Sequence, residues 1–185
     1  TEHKLQEQRL SYLENYDPLT DLPNRFYYNY QLHLYLISQQ DSLQQLAVIR
    51  LNIDRFRPLN EYLSNNGGDE LLRQVAQRLR ITNAEALIVA HLNGDDFAIV
   101  YEISHIRPSI EEHCERITKA FNLPFNVQGQ EHIITLSMGV SLYPEHGRQL
   151  DYLNNCAEQA LSEAKRLGGN TIKYYTLDNT KLLEQ

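Results

Sequence analysis

The chain of 185 residues has little that could staple or anchor it. Its two cysteines, Cys114 and Cys156, are too few and too far apart for a disulfide framework or a four-ligand zinc site. They read as reduced core thiols of a cytoplasmic protein. No apolar run approaches the ~18 residues of a membrane span, and nothing at the start resembles a secretion signal. Runs of Lys or Arg are missing too, and 17 basic against 24 acidic side chains leave a formal charge of −7. A nucleic-acid backbone repels such a surface, so no nucleic-acid partner is expected. The sequence holds no P-loop GxxxxGK motif, no dinucleotide GxGxxG and no HExxH, and its histidines form no i,i+4 pair. They read as surface or core fillers, not ligands.

What remains is a globular composition, 42% hydrophobic, at a length that suggests one domain. Residues 1–15 form a polar helix whose thin stripe of Leu5, Leu10 and Leu13 suits a connector better than a core element. A turn-rich segment from Asp17 to Arg25 follows, then a helix reaching about Ile37. Leu46 to Asp54 is a short β-branched strand. Gly68 to Leu79 is an amphipathic helix preceded by Gly67, with Leu71, Val75 and Leu79 on one face. The apolar runs 87–92 and 95–101 flank Asn93-Gly94, a hairpin signal whose type I′ turn takes φ > 0 at both central residues. Helices over Ser109–Phe121 and Leu150–Leu167 are interleaved with a strand over Ile133–Tyr143 and an edge strand over Thr171–Tyr175. Gly168-Gly169 ends the last helix. The order describes an α+β fold, with helices over a mostly antiparallel sheet carrying a central hairpin.

Acidic groups gather at two strand-associated points, Asn52-Ile53-Asp54 and Asp95-Asp96. Side chains two apart share a sheet face, so Asn52 and Asp54 point together. If the two strands are neighbours, the groups form an oxygen-rich site suited to Mg²⁺ and phosphates. Acids at strand ends and hairpin tips also serve simply as solvated turn residues, and spacing leaves both readings open.

Several segments taken together carry a family resemblance. Asp17-Pro18-Leu19-Thr20-Asp21-Leu22-Pro23-Asn24-Arg25 resembles the DxLTgLpNR segment of GGDEF domains, the diguanylate cyclase family. Asn52-Ile53-Asp54-Arg55-Phe56-Arg57 is similar to its DxDxFK, and Gly68-Asp69-Glu70-Leu71-Leu72 to its GDxLL. Asn93-Gly94-Asp95-Asp96-Phe97 falls where the GGDEF motif belongs; Asn66-Gly67-Gly68-Asp69-Glu70 only looks like it. Ser137-Met138-Gly139-Val140 and Ala164-Lys165 match further family segments, so the resemblance covers residues 16–175.

The resemblance implies a five-stranded nucleotidyl-cyclase-like fold and condensation of two GTP into cyclic di-GMP by a head-to-tail pair of domains. It assigns guanine recognition to Asn60 and Asp69, whose amide and carboxylate suit the base edge. Arg57 and Lys165 become phosphate contacts, Asn93 and Gly94 the backbone approach to phosphate. Asp95 and Asp96 become the catalytic pair. The metal ligands for Mg²⁺ (or Mn²⁺) become Asp95, Asn52 and the Ile53 carbonyl. Four positions depart from the pattern. Asn52 replaces a metal-binding Asp, Asp96 a Glu, Asn93 a Gly, and Gly169 a phosphate-binding Arg. The RxxD inhibitory site would sit at Ala84-Glu85-Ala86-Leu87, where nothing matches.

The expectation is therefore a degenerate GGDEF domain that binds GTP or regulates a neighbour without efficient catalysis, its Mg²⁺ site weakened by Asn52. An impaired but active cyclase, and a ligand-free dimerisation or spacer module, are the alternatives. Residues 1–15 are expected to connect to an upstream sensor. Residues 176–185 are expected to link to a downstream EAL phosphodiesterase domain, and a second GGDEF domain is the partner if the site turns over.

Overall fold

The central strand, β1 (Gln45–Ile53), is buried on both faces. Ala47, Ile49, Leu51 and Ile53 join one core cluster, while Leu46 and Val48 join the other. A strand covered twice reads as an unbroken apolar run instead of an alternating one, which is how it looks in the sequence. The computed structural model describes residues 1–39, 44–103 and 108–177. His105 and the chain after Leu177, including most of the expected 176–185 linker, lie outside the described residues.

β1 sits in the middle of a five-stranded sheet of order β2–β3–β1–β6–β7, with β2 at Ile88–Asn93, β3 at Asp96–Ile103, β6 at Leu136–Tyr143 and β7 at Ile172–Tyr174. Every pairing is antiparallel except that of β7 with β6, as the sequence reading of a mostly antiparallel α+β sheet requires. A separate small hairpin joins β4 (Phe125–Val127) to β5 (Gln130–His132).

Helix α1 (Glu2–Asn15) buries no residue, in keeping with its thin apolar stripe. α2 (Arg25–Ser38) and α5 (Leu150–Arg166) cover one sheet face through Tyr28, Leu32, Leu36, Leu153 and Ala157. α3 (Phe56–Thr82) and α4 (Ile110–Ala120) cover the other through Leu71, Val75, Leu79, Cys114 and Ile117. Asn24 starts α2 by accepting the Tyr27 amide at 2.9 Å, and Ser109 starts α4 by accepting that of Glu112 at 3.3 Å.

Three boundaries differ from the sequence reading. The helix predicted over Gly68–Leu79 is the second half of α3, which begins at Phe56 and breaks at Ser64, where φ is 64° and ψ 170°. Gly67 and Gly68 therefore lie inside a helix and not before one, and both are buried. The predicted I′ turn also changes: register pairs Asn93 with Asp96, so Gly94-Asp95 form the loop. Of the turn residues only Gly94 has positive φ (47°), the arrangement with glycine first that separates II′ from I′. Finally, β6 begins at Leu136, not Ile133.

Candidate functional site

The end of β1, the hairpin tip and the end of α5 meet around an open cleft of about 350 Å³. Asn52, Asp54, Arg57, Asp95, Lys165 and Gly169 are among its lining residues. Six positions separated by more than a hundred residues of chain thus converge, because β1 pairs with β3 on one side and β6 on the other.

The ladder sets Asn52 directly opposite Asp96. A carboxylate only accepts, so Asn52 turns its amide nitrogen toward it: Nδ2 donates to Asp96 Oδ1 at 2.5 Å and reaches the Asp95 carbonyl at 3.5 Å. Asp95 is held above the usual carboxylate range. Burial is the main cause, countered by its own backbone N–H, reinforced by the Asp96 charge and opposed by Lys165 and Asn52.

Asp54 borders the same cleft, yet its carboxylate serves the opposite side of the strand. It accepts from Thr135 Oγ1 at 2.6 Å, Ser137 Oγ at 2.5 Å and the Asn170 amide at 2.7 Å. This ties the end of β1 to the start of β6 and to the turn after α5. Gly169 belongs to the same arrangement. Its φ is +77°, and a Cβ there would lie 2.7 Å from Asp54 Oδ1. The missing side chain at 169 and the full engagement of Asp54 are one feature. The shared-face expectation for Asn52 and Asp54 holds only as far as the cleft, since their hydrogen bonds diverge to β3 and β6.

Asn60 and Asp69 flank the break in α3. Asn60 packs against the bare Cα of Gly68, where a Cβ would come within 1.7 Å of its Oδ1, and Asp69 is exposed beside it. Arg57 is exposed 3.6 Å from Glu61, Lys165 is exposed in the last turn of α5, and Asn93 and Gly94 are exposed at the hairpin tip. Ala84 and Glu85 are exposed between α3 and β2.

The donor set does not fit a divalent-metal pair. Such ions beside a triphosphate want converging anionic oxygens. Among the described residues no group of three or more His, Cys, Asp or Glu side chains is placed to hold a metal. Asn52 presents a donor, Asp54 is occupied by three donors, and Asp95 is left as the carboxylate facing the cleft.

Sequence reasoning missed two residues that shape the tip. His91, read as a filler, places Nε2 2.6 Å from the Gly94 carbonyl and Nδ1 2.6 Å from Asp17 Oδ2. Asp17 in turn accepts the Thr20 hydroxyl at 2.6 Å and the Thr20 amide at 3.1 Å. The available signal was position: His91 stands two residues before the hairpin motif, on the strand that leads into it.

Comparison with known proteins agrees with the geometry. The profile of the family described as "Diguanylate cyclase, GGDEF domain" matches residues 14–171. The cyclic di-GMP phosphodiesterase NbdA of Pseudomonas aeruginosa is 31% identical over 169 residues, 90% of this chain and 21% of that protein. The diguanylate cyclase TpbB of the same species is 29% identical over 177 residues, 95% of this chain and 41% of that protein. The solved GGDEF domain of TpbB superposes with a TM-score of 0.81 at 28% identity, covering 92% of this chain and 99% of that one. The chain thus spans between about a fifth and two-fifths of the length of these two relatives. By profile and by fold alike, this chain belongs to the GGDEF-domain family of diguanylate cyclases.

Proposed function

We propose that this domain works in cyclic di-GMP signalling as a degenerate GGDEF module, binding GTP or regulating a linked domain without efficient turnover. The observation that carries the reading is the Asn52–Asp96 hydrogen bond. Where catalysis wants a metal-binding carboxylate at position 52, this chain has an amide whose nitrogen donates to Asp96. Asp54 does not substitute, because its oxygens are committed to Thr135, Ser137 and Asn170. Gly169 supplies no cation to phosphate. Each such loss acts on the same transition state, and a factor of ten in rate corresponds to only ~1.4 kcal/mol.

GTP recognition is supported separately. Asn60 and Asp69 keep the amide and carboxylate that suit the guanine edge, and neither is among the residues lining the weakened end of the cleft. Arg57 and Lys165 keep two positive charges at the cleft. Of the expected Mg²⁺ or Mn²⁺ ligands Asp95, Asn52 and the Ile53 carbonyl, Asp95 is the one carboxylate, so this reading has the nucleotide binding with little help from metal. The name of NbdA, a phosphodiesterase, agrees with a GGDEF domain serving a linked activity. An EAL partner downstream and a sensor upstream belong to the same proposal.

A second reading, a slow but real cyclase, draws on Asp95, which still faces the cleft near Lys165. One experiment separates the two. Purified protein is incubated with GTP and Mg²⁺ or Mn²⁺, and the mixture is resolved by chromatography after a GTP titration by calorimetry. Heat of binding without cyclic di-GMP is the expected result. Product that vanishes in Asp95→Ala establishes the slow cyclase, and no heat at any metal level leaves a ligand-free spacer.

A further inference from the structure

His91 is held by two atoms that only accept. Its Nε2 faces the Gly94 carbonyl oxygen and its Nδ1 faces Asp17 Oδ2, each at 2.6 Å. A carbonyl never donates. Asp17 Oδ2 already takes two hydrogens from Thr20, and although burial works to raise Asp17, the bonds from Thr20 and His91 outweigh it and hold the carboxyl below the usual range. Neutral imidazole carries one N–H and satisfies one of the two contacts, whereas imidazolium satisfies both.

We propose that His91 is a protonation-dependent positioning residue: as imidazolium it clamps the Asp17–Thr20 turn to Gly94 at the hairpin tip, and loss of one proton releases one end of the clamp. The ring is 7% exposed, so no ready supply of water replaces the lost bond. The other contacts of His91 do not depend on charge. Its backbone amide donates to the Pro23 carbonyl at 3.0 Å, and its ring lies 4.7 Å from that of Phe97.

On the first half of α3, Arg57 lies 3.6 Å from Glu61. The N-terminal turn brings Asp17 and the exposed Asp21, and α2 opens with the exposed Arg25 and carries the exposed His33. The hairpin loop brings Asp95, and β3 brings Asp96 and the exposed Glu102. On α3, Asp69, Arg73 and Arg80 are exposed, Glu70 bonds Gln74, and Arg78 is held by the carbonyls of Ala120, Leu123 and Pro124. Of these charged groups, Asp17 bonds the ring.

The consequence reaches the cleft. Asp95 is the residue after Gly94, so the clamp fixes the peptide that carries the cleft's acid. Closing it takes up a proton, so the tip is held at lower pH and loosened as pH rises. Histidine is the side chain whose ordinary titration falls between about pH 5 and 8. This clamp does not require turnover, and its failure would leave the reading of the site untouched.

The test is nuclear magnetic resonance of ¹⁵N-labelled protein across that pH range. Expected are two protonated ring nitrogens on His91 at the acid end. The backbone amides of Asp95 and Thr20 should each show an inflection coincident with the ring. In His91→Arg, whose cation persists at every pH, that inflection is lost while any due to the Asp95 carboxyl stays. A ring with one N–H throughout overturns the proposal, as do amide inflections that survive in His91→Arg. Should that variant not fold, the ring spectrum of the natural protein decides by itself.

Discussion

Asn52 and Asp96 meet across the β1–β3 ladder with Nδ2 and Oδ1 2.5 Å apart, so the amide nitrogen hydrogen-bonds an acid that a carboxylate at 52 would repel. Asn52→Asp replaces this bond with two facing carboxylates. Two unit charges about 4 Å apart repel by roughly 1–4 kcal/mol between bulk and near-surface permittivity. The variant should therefore unfold at lower temperature, by about 2–4 °C per kcal/mol in a domain of this size. Mn²⁺ should raise the transition of Asn52→Asp and leave the natural protein nearly unmoved. Equal rises in thermal scans of both would show that Asn52 is no obstacle to metal.

Gly169 invites a repair that the structure argues against. Arginine there would restore a charge for phosphate, but position 169 has a φ of +77° and Asp54 lies where the Cβ would go. A left-handed residue with a side chain costs about 1–2 kcal/mol before any collision is counted. Gly169→Arg should therefore lose stability in urea unfolding without gaining GTP affinity. Asp54→Ala, which strands the Thr135 and Ser137 hydroxyls and the Asn170 amide, should cost at least as much.

How much of this was readable beforehand follows from where each constraint lives. β1, the hairpin, α2, α4 and α5 were legible because their apolar spacing and their caps are local. The convergence of Asn52, Asp95, Lys165 and Gly169 was legible through the order of the family motifs. The first half of α3 was not, since Gly67-Gly68 read as the start of a helix while a single strained residue, Ser64, divides two helical halves. Nor was the work of Asp54 and His91 legible. Both depend on partners far away in sequence, Thr135 and Ser137 for one and Asp17 for the other.

Gly68 tests the guanine site apart from the metal site. A Cβ at 68 would collide with the far end of the Asn60 side chain, at 1.7 Å from Oδ1. A rotation of Asn60 relieves this, and alanine gains about 1 kcal/mol of helix propensity over glycine. Gly68→Ala should thus change thermal stability little while displacing the amide from its place beside Asp69. Calorimetry should show weaker GTP binding and a smaller preference for GTP over ATP. Unchanged preference would remove Asn60 from base recognition.

Two acids of the site should respond to pH with opposite sign. Asp17 is lowered from its ordinary 3.8, so it stabilises the fold above that pH and loses its contribution as pH falls through the folded-state value. Asp95 is raised from 3.8, chiefly by burial, so the folded state keeps a proton that the unfolded chain would release, and stability declines as pH rises through its titration. Asp17→Asn should therefore be less stable than the natural protein near neutral pH, by roughly 1–3 kcal/mol for the bonds to Thr20 and His91. Asp95→Asn should be more stable there, having shed a carboxylate that burial penalises. Urea unfolding at a series of pH values should give two difference curves, one on each side of zero at neutrality, both shrinking toward zero as both carboxyls protonate in acid. Curves of the same sign would mean that the tip and the N-terminal turn do not sit in the opposed electrostatic settings described by Asp95 and Asp17.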